Sequence, residues 1–321
     1  MTATELLEKV RRIDVRTNRL VNDMMVGAYL SHFKGRGMDF EELREYVPGD
    51  DVRNIDWNVT RRMGRPFVKC FREERELAVA LAVDISASTS FGSGSRTKRE
   101  FAAEIAATLA VSAARNGDKV ALLLFSSDVE LFVPARKGRR HVLRLVRDLL
   151  AVEPRRRGTN ISGALEFLGR VLRRRAIVFL LTDFLHSTPD GAGGEIAGMR
   201  RQSNSRADGA SAGPPDFIAQ LGRTNRRHDV VCLHLHDPRE SALPQAGLVG
   251  IEDAETGEFF ELDSNSGALR GRFAAVNAER LADLDRRLIR TGVDTLRLNT
   301  AEPFAPTLQR FFEIRRGRRR G

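Results

Sequence analysis

The residues best suited to chemistry are a carboxylate and two hydroxyls, Asp84, Ser86 and Ser88, spaced as D-x-S-x-S. They follow the apolar run 77–83, which has the composition of a buried strand. A strand that ends in Asp and Ser presents oxygen atoms at the edge of a sheet, and a hard cation such as Mg²⁺ prefers oxygen ligands. The motif alone is ambiguous, because Ser after a strand is commonly a turn residue or a helix N-cap.

Two later segments supply oxygen donors of the same kind. Thr159 precedes a helical pattern that starts near Ile161, and Asp183 ends a second apolar run, residues 176–182. Parallel sheets read as continuous apolar runs, and their ligands bind outside the carboxyl ends of the strands, near the point where the strand order reverses. The sequence therefore allows the three segments to converge on one cation.

The order D-x-S-x-S, then Thr, then Asp resembles the metal-ion-dependent adhesion site of von Willebrand factor type A domains. The resemblance implies that Ser86 and Ser88 bind Mg²⁺ or Mn²⁺ directly and that Thr159 does so directly or through water. It implies that Asp84 and Asp183 mostly hold the waters. One coordination position is then open for a carboxylate of a partner protein, so such a site binds proteins and performs no chemistry.

The chain also resembles domain-of-unknown-function family 58, over about residues 29–299. Members of that family are typically associated with MoxR-type AAA+ ATPases, so the resemblance implies such an ATPase, or its client, as the partner. The blocks that carry the resemblance are GRGMDF (35–40), LREYVPGDDVR (43–53), IDW (55–57), TDF (182–184), RHDV (227–230), DPRE (237–240) and DAETG (253–257).

Two departures from the adhesion-type pattern follow Asp183. Phe184 stands where many such domains have Gly, which leaves the shape of the site rim open, although Phe fits the second family. Residues 188–214 read as an insertion rich in Gly, Ala, Ser, Asn and Pro. With few large apolar side chains it cannot offset the entropy lost on ordering, so we expect a disordered loop. The loop is either a tolerated insertion or a lid over the metal edge.

Strands and helices alternate from about residue 77 onward, which predicts an α/β fold with a doubly wound, mostly parallel sheet. Such a sheet is Rossmann-like, and the resemblance makes it von Willebrand factor A-like. We divide the chain into residues 1–75, a small N-terminal helix with a turn-rich and strand-rich segment; 76–314, the main domain; and 315–321, a basic tail.

The predicted elements are placed by hydrophobic periodicity. Strands are expected near 77–83, 119–125, 176–182, 229–235 and 293–298, with hairpin strands near 129–133, 247–252 and 257–262. Helices are expected near 3–24, 97–115, 138–150, 161–173, 215–226, 268–291 and 303–313.

The composition indicates a cytoplasmic protein. No stretch approaches the ~18 to 20 apolar residues of a membrane span. The N-terminus, with Glu5, Glu8 and Lys9, is not expected to be a signal peptide. Cys70 and Cys232 both lie in strand-like runs, so we expect buried free thiols and no disulfide.

Enzyme motifs are weak in this sequence. A haloacid-dehalogenase-type phosphatase needs a second Asp two residues after the first, and Ser86 stands there. No G-x-x-x-x-G-K-[ST] phosphate loop occurs, so any ATP hydrolysis must come from another subunit. We therefore expect no catalytic residues. A metal-dependent hydrolase or phosphatase that uses the same sheet edge is the alternative.

Three side chains on one predicted strand suggest a second metal hypothesis. Cys232, His234 and His236 alternate and therefore share a face, with Asp237 next in sequence. Most such histidines are packed or capped, so we expect structural side chains in preference to a zinc site.

The charge balance is basic, with 53 Lys and Arg against 43 acids and a formal net charge of +10. Much of the excess lies in Arg-rich runs at 136–140, 155–157, 173–175 and 315–320. Such charge attracts nucleic acid, acidic proteins or anionic membrane. The chain has no nucleic-acid recognition motif and only two Tyr and one Trp to stack on bases. We expect most of this charge to lie on solvated helix faces and in an exposed tail. A docking surface for an acidic partner protein is the second alternative, and a nucleic-acid-binding module is the third.

The segment 35–57 mixes acidic and basic residues at short range, which predicts an ion-pair network. Trp57 is a candidate anchor of this piece on the α/β domain, and structural packing and partner binding both remain open. Together these features indicate a non-enzymatic, divalent-metal-dependent protein-binding module, an adaptor of a MoxR-type ATPase in protein or complex maturation.

Overall fold

The computed structural model describes residues 3–21, 37–74, 78–156, 158–185, 217–252 and 259–318. The strands are β1 (Gly37–Glu45), β2 (Phe67–Glu74), β3 (Ala78–Asp84), β4 (Lys119–Phe125), β5 (Val129–Arg136), β6 (Ile177–Thr182), β7 (Asp229–His236), β8 (Leu248–Glu252), β9 (Phe259–Asp263) and β10 (Asp294–Asn299). The helices are α1 (Ala3–Leu20), α2 (Trp57–Met63), α3 (Lys98–Arg115), α4 (Arg139–Ala151), α5 (Ile161–Val171), α6 (Phe217–Arg227), α7 (Pro238–Ser241), α8 (Gly267–Arg290) and α9 (Phe304–Arg318). Two short 3-10 helices cover Val52–Asn54 and Ala87–Ser90.

Six strands form the main sheet, in the order β10-β7-β6-β3-β4-β5. Neighbouring strands pair in parallel except β4 and β5, which form the expected antiparallel hairpin. Within this sheet the first strand in sequence is β3, which lies in the middle. The chain then runs outward through β4 to β5, crosses back to β6 and runs outward through β7 to β10. The predicted doubly wound, mostly parallel sheet is confirmed. Its order reverses between β3 and β6, so ligands are expected at the carboxyl ends of these two strands.

Both faces of the sheet are covered, which explains the unbroken apolar runs of its strands. On one face Val79, Leu81 and Val83 of β3 join a core with α1, α3, α4 and α9. On the other face Ala80 and Ala82 join a core with α5, α6 and α8. Alternate residues of one strand therefore enter two different helical layers, and the strand ends are held rigidly between them.

Helix α1 packs on the main body through α3 and α4. Ile13 is buried in the first core together with Val21, which follows the helix. The sequence-based division at residue 75 thus separates a helix from the body on which it packs.

Residues 37–74 form a smaller unit, in which β1 and β2 pair as an antiparallel two-stranded ribbon. The sequence showed no helix signal here, yet α2 begins at an N-cap, Asp56, whose carboxylate accepts hydrogen bonds from the backbone of Asn58 and Val59. Gly64 ends α2 with a φ of 70°, a conformation that favours glycine. Neither β1 nor α2 was predicted. The many charged residues of β1 hide its strand pattern, and a seven-residue helix is too short for periodicity to show.

The C-terminal helix α9 runs to Arg318, beyond the predicted end at residue 313. The guanidinium of Arg315 is largely buried, lying 2.6 Å from Asp229 and 2.7 Å from Asp294, the first residues of β7 and β10. The prediction of an exposed basic tail from residue 315 is therefore wrong at Arg315, because two strand-start carboxylates draw it into the body.

Helix α7, of four residues, was not predicted; the remaining strands and helices lie within a few residues of their predicted positions, including the hairpin of β8 and β9. Among the described helices, none has the length and apolar character needed to cross a bilayer. The predicted disordered loop at 188–214 lies outside the described residues.

Candidate functional site

The D-x-S-x-S segment folds into a tight turn at the end of β3. One carboxylate oxygen of Asp84 accepts a hydrogen bond from the backbone N–H of Ser86 at 2.9 Å. The backbone carbonyl of Ser86 in turn accepts a hydrogen bond from the hydroxyl of Thr89 at 2.7 Å. These bonds bring the hydroxyl oxygens of Ser86 and Ser88 to 3.1 Å from each other. The turn therefore presents two hydroxyls side by side, beside a carboxylate.

The carboxylate of Asp84 is completely buried and joins the ends of β3 and β6. Its second oxygen accepts a hydrogen bond from the hydroxyl of Thr182, the last residue of β6, at 2.7 Å. Burial, followed by the nearby charge of Asp183, raises the pKa of Asp84 to about 7 despite the hydrogen bonds from Ser86 and Thr182. The structure thus brings Asp84, Ser86, Ser88 and Asp183 to one edge of the sheet, at the switch point.

Asp183 has a partner that the sequence did not reveal, the ammonium group of Lys98. The Lys98 nitrogen lies 2.6 Å from one oxygen of Asp183, and it also donates to the carboxylate of Glu240. The other oxygen of Asp183 accepts a hydrogen bond from the backbone N–H of Leu185 at 3.0 Å. Burial alone would lower the pKa of Lys98, but the two carboxylates outweigh it and raise that pKa. Lys98 is therefore a permanent buried cation at this edge.

The DPRE block, 237–240, holds Glu240 in place. Asp237 caps the short helix α7, and its backbone N–H donates to Glu240 at 3.0 Å. The carboxylate of Asp237 also accepts hydrogen bonds from the backbone and hydroxyl of Ser93 and from the hydroxyl of Thr300. It thereby ties the end of β7 to the loop before α3 and to the residue after β10, and it fixes the helix end that carries Glu240.

Thr159 lies in the loop before α5, next to the end of β4. The backbone N–H of Asn160 donates to the carbonyl of Ser126 at 2.8 Å, and the side chain of Asn160 caps α5. The hydroxyl oxygen of Thr159 is buried and has no hydrogen-bond partner. Buried polar atoms are nearly always satisfied, so this hydroxyl is suited to an additional ligand.

These residues fit the hard cation that the resemblance implies. Every donor at the edge is an oxygen, two hydroxyls face each other, and the hydroxyl of Thr159 lacks a partner. Oxygen-only sets of this kind suit Mg²⁺ or Mn²⁺. The edge differs from the expected pattern at Asp183, because its carboxylate is already paired with the ammonium of Lys98, which Glu240 shares.

Sequence reasoning missed the roles of Lys98, Glu240 and Asp237. The DPRE block was part of the family resemblance, but its contacts depend on strand order and were not foreseeable. The sequence offered one weak indication that Lys98 has an acidic partner. A cation at the first residue of a helix opposes the helix dipole and needs a compensating anion.

The zinc hypothesis for the face of β7 gains no support. Cys232 is buried in the second core, and His234 packs edge-on against Phe184 with ring centroids 5.4 Å apart. Burial lowers the pKa of His234 to about 4, so its ring is neutral. Within the ranges that the structure describes, no three His, Cys, Asp or Glu side chains group to hold a metal ion. Cys70 and Cys232 are free thiols, the former only half-buried.

The charged segment 35–57 contains some of the expected ion pairs. Arg44 makes a bidentate pair with Asp50 at 2.6 and 2.8 Å, and Lys69 of β2 lies 3.0 Å from Asp56. Trp57 is 69% exposed, so it does not anchor the segment. The proposed anchoring role was wrong, because the indole projects from the first turn of α2 into solvent.

Several residues of the Arg-rich runs are paired with acids. Arg139 lies 2.7 Å from Asp14, and Arg156 lies 3.6 Å from Asp128. In these exposed pairs, acidic side chains of the protein itself offset part of the positive charge of the Arg-rich runs.

Comparison with known proteins places the chain among relatives of similar length. Uncharacterized protein Rv1480 of Mycobacterium tuberculosis is 30% identical over 314 residues, which cover 97% of this chain and 90% of that protein. Uncharacterized protein Mb1516 of Mycobacterium bovis matches with the same values.

Solved structures show weaker likeness. The structure of BatB from Bacteroides thetaiotaomicron has a TM-score of 0.44 at 14% identity, covering 74% of this chain and 98% of that chain. The SpRpn10 VWA domain has a TM-score of 0.34 at 10% identity, covering 73% and 94%. Nothing about function follows from similarities this low. The family described as "Protein of unknown function DUF58" matches residues 42–283, three quarters of the chain, and the chain belongs to this family.

Proposed function

We propose that the chain is a non-enzymatic, divalent-cation-dependent protein-binding module. The observation that carries the proposal is the buried, oxygen-only donor set at the switch point of the sheet, with its paired hydroxyls and an unpartnered hydroxyl at Thr159. Ser86, Ser88 and Thr159 would hold Mg²⁺ or Mn²⁺. When bound, the cation supplies a positive charge with an open position for a carboxylate.

The chain's own residues prepare this edge before any ligand arrives. Asp84 fixes the turn through the backbone of Ser86 and links it to β6 through Thr182. The capped helix α5 and the left-handed Gly158, with a φ of 101°, set the position of Thr159. A preorganised set of donors costs little to order on binding, which favours recognition of a partner.

A hydrolase or phosphatase at the same edge is less well supported. A carboxylate that attacks a phosphoester must reach it, and Asp84 is completely buried with both oxygens accepting hydrogen bonds. Asp183 is likewise engaged, by Lys98 and by the backbone of Leu185. Neither carboxylate is placed to act as a nucleophile or general base.

The proposed partner is a MoxR-type AAA+ ATPase or its client, for which this chain would act as an adaptor in protein or complex maturation. The chain belongs to the DUF58 family, and the proposed partner is the one that the resemblance of the sequence to that family implies. A nucleic-acid-binding role comes third, since arginines of the basic runs are engaged in ion pairs on the protein itself.

Co-purification from a lysate with Mg²⁺ or with a chelator, followed by mass spectrometry, tests the proposal. A partner that is captured with Mg²⁺ and lost with chelator or in Ser88→Ala supports it. Ser90→Ala is the matched control, because Ser90 belongs to the same 3-10 turn but is exposed. Turnover of p-nitrophenyl phosphate by the metal-loaded protein would favour the hydrolase, and DNA binding that falls steeply with salt would favour the nucleic-acid role.

A further inference from the structure

The side chain of Lys98 has no exposure to solvent. Its ammonium group lies between two carboxylates, 2.6 Å from Asp183 and in contact with Glu240. Both acids come from segments that follow strands of the main sheet, Asp183 after β6 and Glu240 after β7. A fully buried ammonium is retained only when it is paired and hydrogen-bonded, so its position is fixed by these two groups.

The two aspartates of the edge are therefore in different electrostatic situations. Asp183 shares its charge with Lys98 and accepts two hydrogen bonds, one on each oxygen. Asp84 accepts its hydrogen bonds from neutral donors, the backbone N–H of Ser86 and the hydroxyl of Thr182. A cation that binds beside the Ser86 and Ser88 hydroxyls would therefore meet a carboxyl group without a counter-ion at Asp84 and a carboxylate paired with Lys98 at Asp183.

Glu240 keeps Lys98 in this arrangement. It accepts hydrogen bonds from Lys98 and from the backbone of Asp237, and the carboxylate of Asp237 is tied to Ser93 and Thr300. The ammonium is thus held by an element outside the D-x-S-x-S edge. Movement of Lys98 away from Asp183 would break its contact with Glu240 unless α7 moved as well.

We propose that Lys98 is a positioning residue that keeps Asp183 in a buried ion pair, so that Asp183 is not available to a bound cation. The divalent cation would then be held by Asp84, Ser86, Ser88 and Thr159 with the attraction of Asp183 reduced by Lys98, and it would bind more weakly and more reversibly than it would beside a free carboxylate. This inference rests on the proposed function, and it attributes the moderate affinity of the same site for a divalent cation to one residue.

Binding of Mn²⁺ to the full chain, followed by the electron paramagnetic resonance signal of free Mn²⁺, tests the inference in a double-mutant cycle. The four proteins are wild type, Asp183→Asn, Lys98→Met and the double variant. In wild type, Asp183→Asn should change the Kd for Mn²⁺ less than about threefold, because the ammonium of Lys98 already offsets most of that charge. Lys98→Met should tighten Mn²⁺ binding by roughly tenfold or more, and Asp183→Asn should reverse that gain.

Two results would overturn the inference. One is a tenfold or greater weakening of Mn²⁺ binding by Asp183→Asn alone, which is roughly the effect of one direct charge contact. The other is an equal effect of Asp183→Asn on the Kd in the wild-type and Lys98→Met backgrounds. If Lys98→Met does not fold by circular dichroism, Asp183→Asn in the wild-type background still decides. Lys9→Met, which removes a part-exposed lysine paired with Glu100, controls for loss of one positive charge.

Failure of this inference and failure of the proposed function give different results. Wild type that binds no Mn²⁺, with Lys98→Met that does, would contradict cation-dependent binding by the natural protein and support the role of Lys98. Binding by wild type with no change in Lys98→Met would leave the proposed function standing and reject the role of Lys98. No binding by either protein would reject both.

Discussion

The ammonium nitrogen of Lys98 lies 2.6 Å from a carboxylate oxygen of Asp183, and neither side chain exposes more than 1% of its surface. The pair joins the first residue of α3 to the residue that follows β6. It therefore connects a helix of one covering layer to the strand end beside the switch point. A buried pair of this kind adds little net stability but is costly to break, because the remaining charge stays buried.

Substitution of Lys98 by Met should therefore lower the free energy of unfolding by about 3 to 5 kcal/mol, since Asp183 and Glu240 lose their buried counter-ion. Urea denaturation followed by circular dichroism measures the loss. The same substitution at Lys9, whose pair with Glu100 is partly exposed, should cost less than about 1 kcal/mol. Equal losses in the two variants would show that the Lys98 contacts do not stabilise the fold.

Divalent cations should stabilise the folded protein, because they bind the folded state only. At a hundredfold excess of Mg²⁺ or Mn²⁺ over Kd, the gain is about 2.7 kcal/mol, visible as a rise in melting temperature. Asp84→Asn keeps one oxygen to accept from the backbone of Ser86, and its amide can donate to the hydroxyl of Thr182, but it removes the charge, so it should abolish the rise. The control is Asp148→Asn on α4, an acid paired with Arg144 and Arg147. A rise that persists in Asp84→Asn would place the cation elsewhere.

His234 should make the fold less stable at mildly acidic pH, with a sign opposite to that of Asp84, whose raised pKa favours the folded state as pH falls below about 7. The pKa of His234 is lowered to about 4 by burial, below the ~6.5 of an unfolded chain, so the unfolded state binds more protons. The stabilisation is complete above about pH 6.5 and is lost as pH falls toward 4. Between pH 7 and pH 5 the loss through His234 should be roughly 2 kcal/mol, and protonation of the buried Asp84 opposes it in the wild-type protein.

The histidine variants isolate this effect. Urea denaturation at several pH values should give a lower slope of unfolding free energy against pH for His234→Leu than for wild type, by roughly 2 kcal/mol between pH 5 and pH 7. His141→Leu removes a histidine from α4, where its ring bonds the carbonyl of Val120, and should keep the slope. An unchanged slope in His234→Leu would assign the acid sensitivity to other groups.

Asp237 should be a structural residue of this region. It accepts hydrogen bonds from Arg239 in its own segment and from Ser93 and Thr300 in two distant segments. Asp237→Asn should cost roughly 2 to 4 kcal/mol, because charge-assisted hydrogen bonds are weakened in a buried place. Asp263→Asn, an exposed acid that accepts from Asn265, should cost less than about 1 kcal/mol. Thermal denaturation of both variants compares them, and similar small losses would contradict this role.

Much of the fold was predictable, because burial on both faces leaves a strong signal in sequence. The apolar runs of β3 and β6 end in Asp84 and in Thr182 before Asp183, and the alternation of strands and helices predicts a sheet in which these ends meet. The turn that pairs Ser86 with Ser88 follows from local backbone hydrogen bonds, which are also encoded within a few residues.

The rest depends on contacts between distant segments. Lys98 and Glu240 are 142 residues apart in sequence, and their contact requires the order of β6, β7 and β3 in the sheet. Arg315 was expected in a solvated tail for the same reason, since its partners Asp229 and Asp294 lie at the starts of two strands. Charge in sequence does not reveal whether a partner is within reach.

The central claim is that a cation at the edge formed by Asp84, Ser86 and Ser88 mediates protein binding. Calorimetric titration of the purified protein with a MoxR-type ATPase, in Mg²⁺ and in chelator, tests it most directly. We predict that chelator and Ser86→Ala each weaken binding by roughly tenfold or more, about 1.4 kcal/mol, while Ser90→Ala leaves it unchanged. An affinity for the ATPase that stays the same in chelator would contradict the claim and move the interface to the segment 35–57 or to the Arg-rich faces.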